Sequence, residues 1–266
     1  MTVPLDLDGA AAVLTGAGSG IGRATALSLA ARGARVAVSD VDAARAEETA
    51  ALVHDAGGEA VAARVDVADQ GDLEALRDLC LRHFGRLDLV MNNVGVLAMG
   101  PPESLPLEAW QRVVDLNLLG IARSNVVFLP HLLARGHGHV VNTASASGLL
   151  AYGFDRLPYV ATKHAVVGLS EAMALYLAPK GVGLTCVCPS GVITNILEQI
   201  TVYGEPGSPR APQHPLVGPE AVGELVAEAV TAGTYLVVTA PEIHDELRER
   251  AADPEAYMRR MIEEQR

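Results

Sequence analysis

Apolar residues along the chain fall into two alternating patterns. Short, mostly apolar runs read as strands: AAAVLTG (10–16), ARVAVSD (34–40), EAVAARVD (59–66), LDLVMNN (87–93), GHVVNTAS (138–145), GLTCVCPS (183–190) and TYLVVTA (234–240). Between them lie segments with helical spacing. These run from the end of the first strand to Ala31, then over 43–57 with Gly57 as a stop, 72–84, 106–133, 158–178 and 219–233. Strict alternation predicts a parallel sheet with helices on both faces. Such strands are buried on two sides and run nearly all apolar, as these do. No internal repeat and no domain boundary shows, so residues 1–266 are read as one domain.

Two segments break the alternation. Five prolines fall between 204 and 219, and Pro206, Pro209, Pro212 and Pro215 recur every third residue. That spacing predicts an extended, polyproline-like path. The tail, 241–266, is charged and helix-prone, and is expected to be a solvated end helix.

Composition narrows the class. Half the residues are apolar but only 4% are aromatic, so the core must be filled by small side chains. No run of eighteen apolar residues exists, and the N-terminus lacks a basic stretch followed by an apolar one. Neither a membrane span nor a signal peptide is expected. The net charge of −12 argues against a nucleic-acid partner, which would need basic patches. Cys80, Cys186 and Cys188 make an odd count without CxxC. Cys186 and Cys188 share one face of an apolar strand and read as packing, which suggests a reducing, cytoplasmic setting. His137 and His139 form an H-x-H without carboxylate or thiol neighbours, and no metal site is expected there.

Candidate chemistry begins at TGAGSGIG (15–22), which follows the first strand and opens a helix. A dinucleotide diphosphate sits on backbone N–H groups in that setting. The spacing is G-x-x-x-G-x-G, through Gly16, Gly20 and Gly22. Asp40 ends the second strand, where a carboxylate accepts hydrogen bonds from the adenosine ribose and repels a 2′-phosphate. No Arg or Lys precedes Ile21 in the loop or directly follows Asp40. NAD is therefore expected over NADP, and Arg23 is read as a surface residue.

The chain has two lysines, Lys163 and Lys180, against eighteen arginines. Lys163 follows Tyr159 by four residues on a helix that is apolar almost all round, so the two share a face. Lowering a phenol from a pKa of about 10 to about 7.5 takes roughly 3.4 kcal/mol. One positive charge about 4 Å away supplies roughly 4 kcal/mol at an effective dielectric of about 20. A compact ammonium suits that point contact better than a guanidinium fork. Ser145, at the end of the fifth strand, can hold a substrate oxygen against the phenol, with Ser147 as competitor.

Taken together, TGAGSGIG, NNVG (92–95), Asn117 in DLNLLG, Ser145 in VNTASASG and YVATK resemble the short-chain dehydrogenase/reductase family, in its single-domain branch. The resemblance runs to about residue 240 and implies a doubly wound α/β fold with a seven-stranded parallel sheet. It implies reversible hydride transfer between a nicotinamide cofactor and a secondary alcohol or ketone. By resemblance, Tyr159 is the acid/base, Lys163 tunes it, Ser145 holds the substrate oxygen, and Asn117 positions a water linking Lys163 to solvent. Cofactor contacts are implied for Gly16, Ser19, Gly20, Ile21 and Gly22, for Asp66 and Val67 at the adenine, for Asn92 near the adenosine ribose, for Gly95, and for Val192 and Thr194 near the nicotinamide and phosphates. Departures from the pattern are Val94 in place of Ala, Ser190 in place of Gly, and a loop one residue longer between Ser145 and Tyr159.

The segment 194–219 is expected to be a substrate lid. Its first half is apolar at helical spacing through Ile196, Leu197, Ile200 and Tyr203, and it has no Arg or Lys before Arg210. With Val96, Leu97, Ser147, Leu149, Tyr152 and Phe154 across from it, an apolar alcohol or ketone is the expected substrate. Helices 106–133 and 158–178 carry more apolar faces than one sheet covers. This implies subunit packing and, by resemblance, a homotetramer, with a dimer open. The competing readings are an NAD-binding regulatory or structural subunit without turnover, and an epimerase or dehydratase sharing the Tyr–Lys pair.

Overall fold

The computed structural model describes residues 2–205 and 213–264, without the side chains of Ile196 and Leu197. Seven strands form the main sheet: β1 (Ala11–Leu14), β2 (Arg35–Asp40), β3 (Ala60–Arg64), β4 (Leu89–Asn92), β6 (Gly138–Thr143), β7 (Val182–Cys188) and β9 (Leu236–Val238). Their order is β3-β2-β1-β4-β6-β7-β9, all parallel. Connections wind outward in opposite directions from the β1–β4 neighbours. A crevice opens at the carboxyl ends of strands at such a switch point.

The helices divide between the two faces. On one lie α1 (Gly20–Ala30), α2 (Ala43–Asp55) and α7 (Pro219–Ala232), whose Leu29, Val53 and Val226 pack on Leu14, Val36 and Val187. On the other lie α3 (Gln70–Phe84), α5 (Gly120–Arg135) and α6 (Leu157–Leu177), whose Leu76, Phe128 and Leu177 pack on Val13, Val90 and Leu184. Local chemistry sets the helix ends. The Asp42 carboxylate caps α2 by accepting from the N–H groups of Ala44 and Arg45. Gly85, at φ 73°, closes α3 in a conformation that a side chain would strain.

The expected helix over 106–133 is continuous but irregular. It comprises α4 (Leu107–Val114), a wider π turn over Asp115–Leu119, and α5. By length and composition this stretch, Leu107–Arg135, could cross a membrane, at mean hydropathy 1.3. Here Val127, Phe128 and Leu132 bury its inner face on the sheet, and the Arg123–Asp115 ion pair (2.5 Å) sits midway along it.

Two expectations fail. The lid does not begin as an amphipathic helix. A short 3-10 turn, Asn195–Gln199, leads into β8 (Ile200–Val202), which pairs in parallel with β5 (Leu97–Met99). Ile-Thr-Val is β-branched throughout and finds an open strand edge there, which outweighs the helical spacing. The tail is not a solvated helix either. It forms α8 (Ile243–Ala252) and α9 (Pro254–Glu263), and Ile243, Tyr257 and Met261 pack with Leu149, Leu150 and Tyr152. Pro206, Pro209 and Pro212 of the expected polyproline path lie outside the described residues.

Candidate active site

The loop from β1 into α1 is built around backbone that only glycine allows. Gly16 has φ 60° and Gly20 φ 52°. A Cβ on Gly22 would stand 2.4 Å from the Gly16 carbonyl oxygen, so this glycine lets the helix start against its own loop. Gly18 stands outside the expected G-x-x-x-G-x-G spacing and is equally constrained. A Cβ there would come within 2.8 Å of the Asp40 carboxylate. The Gly18 N–H donates to Asp40 Oδ2 at 3.0 Å, which ties the loop to the end of β2.

Arg23 is not a free surface residue. Its guanidinium donates to the Gly18 carbonyl and pairs with Glu48 at 2.6 Å, bracing the loop from behind. Ser19 begins α1 in extended backbone without capping the helix through its side chain. The first residues of α1, Gly20 and Ile21, line the cleft, and Ser19 does not cap their N–H groups with its side chain.

The cleft has a volume of about 760 Å³. Gly16, Ser19, Gly20, Ile21 and Asp40 line one end, with Asp66 and Val67 beside them. Gly95, Ser145, Tyr159 and Lys163 line the other, Val192 belongs to the same lining, and Thr194 stands against Gly20. Two residues expected at the cofactor are not on this surface. Gly22 packs inside the loop as described. Asn92 points beneath the sheet, and its amide donates to Asn142 Oδ1 at 2.9 Å, continuing to Ser170. Its neighbour Asn93 lines the cleft instead and donates to the Gly16 carbonyl at 2.9 Å. Alternation at the end of β4 puts one asparagine on each side, a signal present in the sequence.

Lys163 is 3% exposed, and its Nζ donates to the Thr143 carbonyl at 2.7 Å. A Cβ on Gly95 would stand 3.4 Å from that nitrogen, so the glycine leaves the ammonium open to the cleft. The nitrogen lies 5.6 Å from the Tyr159 ring centre. Burial pulls the Lys163 pKa down to about 8, against weaker support from the Cys188 and Cys186 thiols. The Tyr159 phenol pKa is pushed above its ordinary value by burial, while the neighbouring Ser145 side chain and the Arg156 charge pull the other way. The cost of burying a phenolate is the largest of these effects, and Lys163 is not among them. Of the two candidate serines, Ser145 reaches the cleft. Ser147 acts through its backbone, donating to Ser145 Oγ at 3.1 Å.

Asn117 is fully buried in the π turn. Its side chain is committed to Val96, accepting from the N–H at 2.8 Å and donating to the carbonyl at 3.0 Å. A water held by this residue would have to use its backbone rather than its amide.

The unusual Ser190 is accommodated. Its N–H and hydroxyl both bond Thr239 Oγ1 at 2.8 Å, while the Val192–Val217 bridge pins the next turn of the loop. Val94 lines the cleft beside Gly16, where a Cβ on the glycine would come 3.0 Å from its methyl.

Leu97, Leu149, Tyr152 and Tyr203, expected at the substrate, do not line the cleft. Leu97 is buried in β5, and Tyr203 packs with Leu105 and Val113. Leu149 and Tyr152 dock the tail: the Leu149 carbonyl accepts from Arg250, and Tyr152 bonds His214 at 3.2 Å. The side chain of Leu197 lies outside the described residues. Phe154 is exposed. Val96, also expected opposite the lid, does line the cleft, together with Pro189, Ser190, Asn195, Gln199 and Arg112 of α4. His139 lies within β6, fully buried, bonded to the Val3 carbonyl and Thr185.

This sheet, with a glycine loop at its switch point and a Ser–Tyr–Lys group across the cleft, defines a class. The short chain dehydrogenase family model matches residues 10–202, and the chain belongs to that family of oxidoreductases. A cyclohexanol dehydrogenase from Acinetobacter sp. strain SE19 is 40% identical over 190 residues, 71% of this chain and 75% of the relative. A D-threitol dehydrogenase from Mycolicibacterium smegmatis is 36% identical over 193 residues, 71% and 73% of the two chains. Among solved structures, a short chain dehydrogenase/reductase from Burkholderia phymatum in complex with NAD superposes with a TM-score of 0.85 at 32% identity, covering 95% of this chain and 96% of that one.

Proposed function

We propose that the protein catalyses reversible hydride transfer between NAD(H) and an apolar secondary alcohol or ketone. The observation that carries the reading is the pairing in one cleft of the glycine loop under Asp40 with Ser145, Tyr159 and Lys163 at the far end. The chain fits a dinucleotide: Gly20 and Ile21, whose N–H groups Ser19 does not cap, line the cleft, and Gly18 keeps the approach to Asp40 clear of a side chain. The nicotinamide, when bound, supplies the hydride donor or acceptor. Gly16, Ser19, Gly20 and Ile21 receive the diphosphate on backbone N–H groups. Asp40 accepts from the ribose hydroxyls, and its charge disfavours a 2′-phosphate. Asp66 and Val67 flank the adenine.

The Tyr159 hydroxyl exchanges a proton with the substrate oxygen, which Ser145 holds beside it. Lys163, with a pKa near 8, is charged at neutral pH and has donors left for a ribose and for a proton path past Asn117. A bound cationic ring adds to its field and favours the phenolate that burial alone disfavours. Val96, Pro189 and Val192 support an apolar substrate, as does the cyclohexanol relative. The threitol relative makes polyols the comparison to beat.

Residues 1–266 act as one unit, with 194–219 as substrate cover. Exposed Leu119 and Val126, and Leu175 and Tyr176 on α6, suit subunit contacts in a homotetramer. The three free, buried thiols suit a reducing cytoplasm. The test is initial-rate measurement with cyclohexanol, threitol and linear secondary alcohols, each with NAD and NADP. Turnover of apolar alcohols with NAD supports the reading; turnover of threitol alone, or with NADP alone, rejects it.

A further inference from the structure

Asp40, Arg45 and Glu198 come from three parts of the chain and meet at one edge of the cleft. Arg45 stands in the first turn of α2, and its stem starts at the glycine loop. A Cβ on Gly18 would lie 2.7 Å from Arg45 Cβ and 2.8 Å from the Asp40 carboxylate. The guanidinium therefore begins within a side chain's reach of the ribose end that Asp40 marks. It makes no hydrogen bond to Asp40, whose oxygens accept from the N–H groups of Gly18 and Asp42. It reaches instead to the 195–199 turn, where Nη2 meets Glu198 Oε2 at 2.7 Å, and its Nε stands 3.5 Å from Asp42. The second Glu198 oxygen accepts from Asn195 Nδ2 at 2.8 Å, which holds the turn in shape. Asn195 and Glu198 both line the cleft. Next to them Thr194 closes on the glycine loop, within 3.1 Å of where a Cβ on Gly20 would stand.

We propose that Glu198 is a specificity-determining and positioning residue for the dinucleotide. By drawing Arg45 away from the ribose end it disfavours a 2′-phosphate, and by tying the 195–199 turn to α2 it slows release of the bound dinucleotide. This rests on the nicotinamide-dinucleotide reading above. A guanidinium released from Glu198 is a ready phosphate ligand, because its fork matches phosphate oxygens. Asp40 by itself repels that phosphate; Glu198 draws off a cation, Arg45, that would offset the repulsion. The pair is partly exposed, 36% and 52%, so its effect is modest and falls with salt.

The test uses the full chain, with NADH and NADPH fluorescence titrations and stopped-flow release, and needs no substrate. Glu198→Gln is expected to speed NADH release about two- to fivefold and to tighten NADPH binding by a similar factor. In the double variant with Arg45→Gln the NADPH gain disappears while the faster NADH release persists. Both changes lie on the surface, and an unchanged melting temperature excludes a general loosening. An unaltered ratio of NADH to NADPH affinity in Glu198→Gln overturns the proposal, as does an NADPH gain that survives without Arg45. A wild-type protein that binds neither dinucleotide overturns the proposed function as well; one that binds NADH with the ratio unmoved overturns this inference alone.

Discussion

The two ends of the cleft are built by different means. At the glycine loop the surface is backbone: positive-φ glycines, helix N–H groups that Ser19 leaves uncapped and carbonyls braced by Asn93 and Arg23. At the other end it is a patchwork of side chains from a loop, pinned by the Val192–Val217 bridge and tied to Tyr152 and to Glu246 of the tail through His214. Backbone geometry is dictated by residue type over a few positions, whereas a side-chain surface depends on what else packs nearby. The first half is therefore readable from local residue types, and the second is not.

The largest break in that comparison is chemical. Tyr159→Phe is expected to lower kcat/KM about 10²- to 10⁴-fold while NADH affinity holds, because the ring stays and only the proton carrier goes. Equal loss of both in fluorescence titration and steady-state rates would falsify the division of labour between the two ends.

Two buried bases come next, and each leaves a signature in stability against pH. Lys163 has its folded pKa lowered from 10.5 to about 8, so between those values the unfolded chain binds more protons and stability rises with pH. The gain is about 3 kcal/mol at most. Lys163→Met should lose that rise in denaturant titrations from pH 8 to 10.5, with turnover abolished. His139 lies near the start of β6, between β4 and β7, with its pKa lowered by burial from 6.5 to about 4. Stability is full above pH 6.5 and falls by about 3 kcal/mol as pH drops to 4, since charging the ring is opposed in the fold. His139→Asn should flatten that limb. A wild-type curve already flat from 6.5 to 4 counts against the buried neutral ring.

The glycines sharpen the contrast further. Gly22→Ala drives a methyl onto the Gly16 carbonyl and should cost about 1–3 kcal/mol, with weaker NADH binding. Gly168→Ala, in α6 with open space around it, should instead gain up to about 1 kcal/mol. Melting temperatures moving in the same direction for both would contradict this. The smallest effect is expected where His214 ties the loop: Tyr152→Phe removes the bond to His214 and should cost about 1 kcal/mol while NADH affinity stays put.

Legibility in the sequence follows the same division. All seven main strands and their helices lie within a few residues of where periodicity puts them, because buried strands and amphipathic helices announce themselves locally. That the glycine loop, Asp40, Ser145, Tyr159 and Lys163 gather on one cleft is legible for a similar reason: each is tied to the end of a strand or the face of a helix. Gly18, Arg23 and Asn93 were missed or misjudged, although Asn93 carried a readable alternation. Glu198 offered no signal at all, since its partner Arg45 is 153 residues away.

By itself, then, the order of residues determined the strand–helix alternation, the sheet's parallel character and the set of groups able to do chemistry. Only the tertiary structure decided which way the polar groups turn: Ser145 rather than Ser147 to the cleft, Asn92 beneath the sheet, Tyr152 and Leu149 to the tail, Ile200–Val202 to a strand edge. The physical reason is range. Backbone propensity and burial periodicity act over a few residues, but whether a side chain meets substrate or another helix depends on packing between segments far apart in the chain. A phenol's ionisation is set the same way, by the sum of everything folded around it.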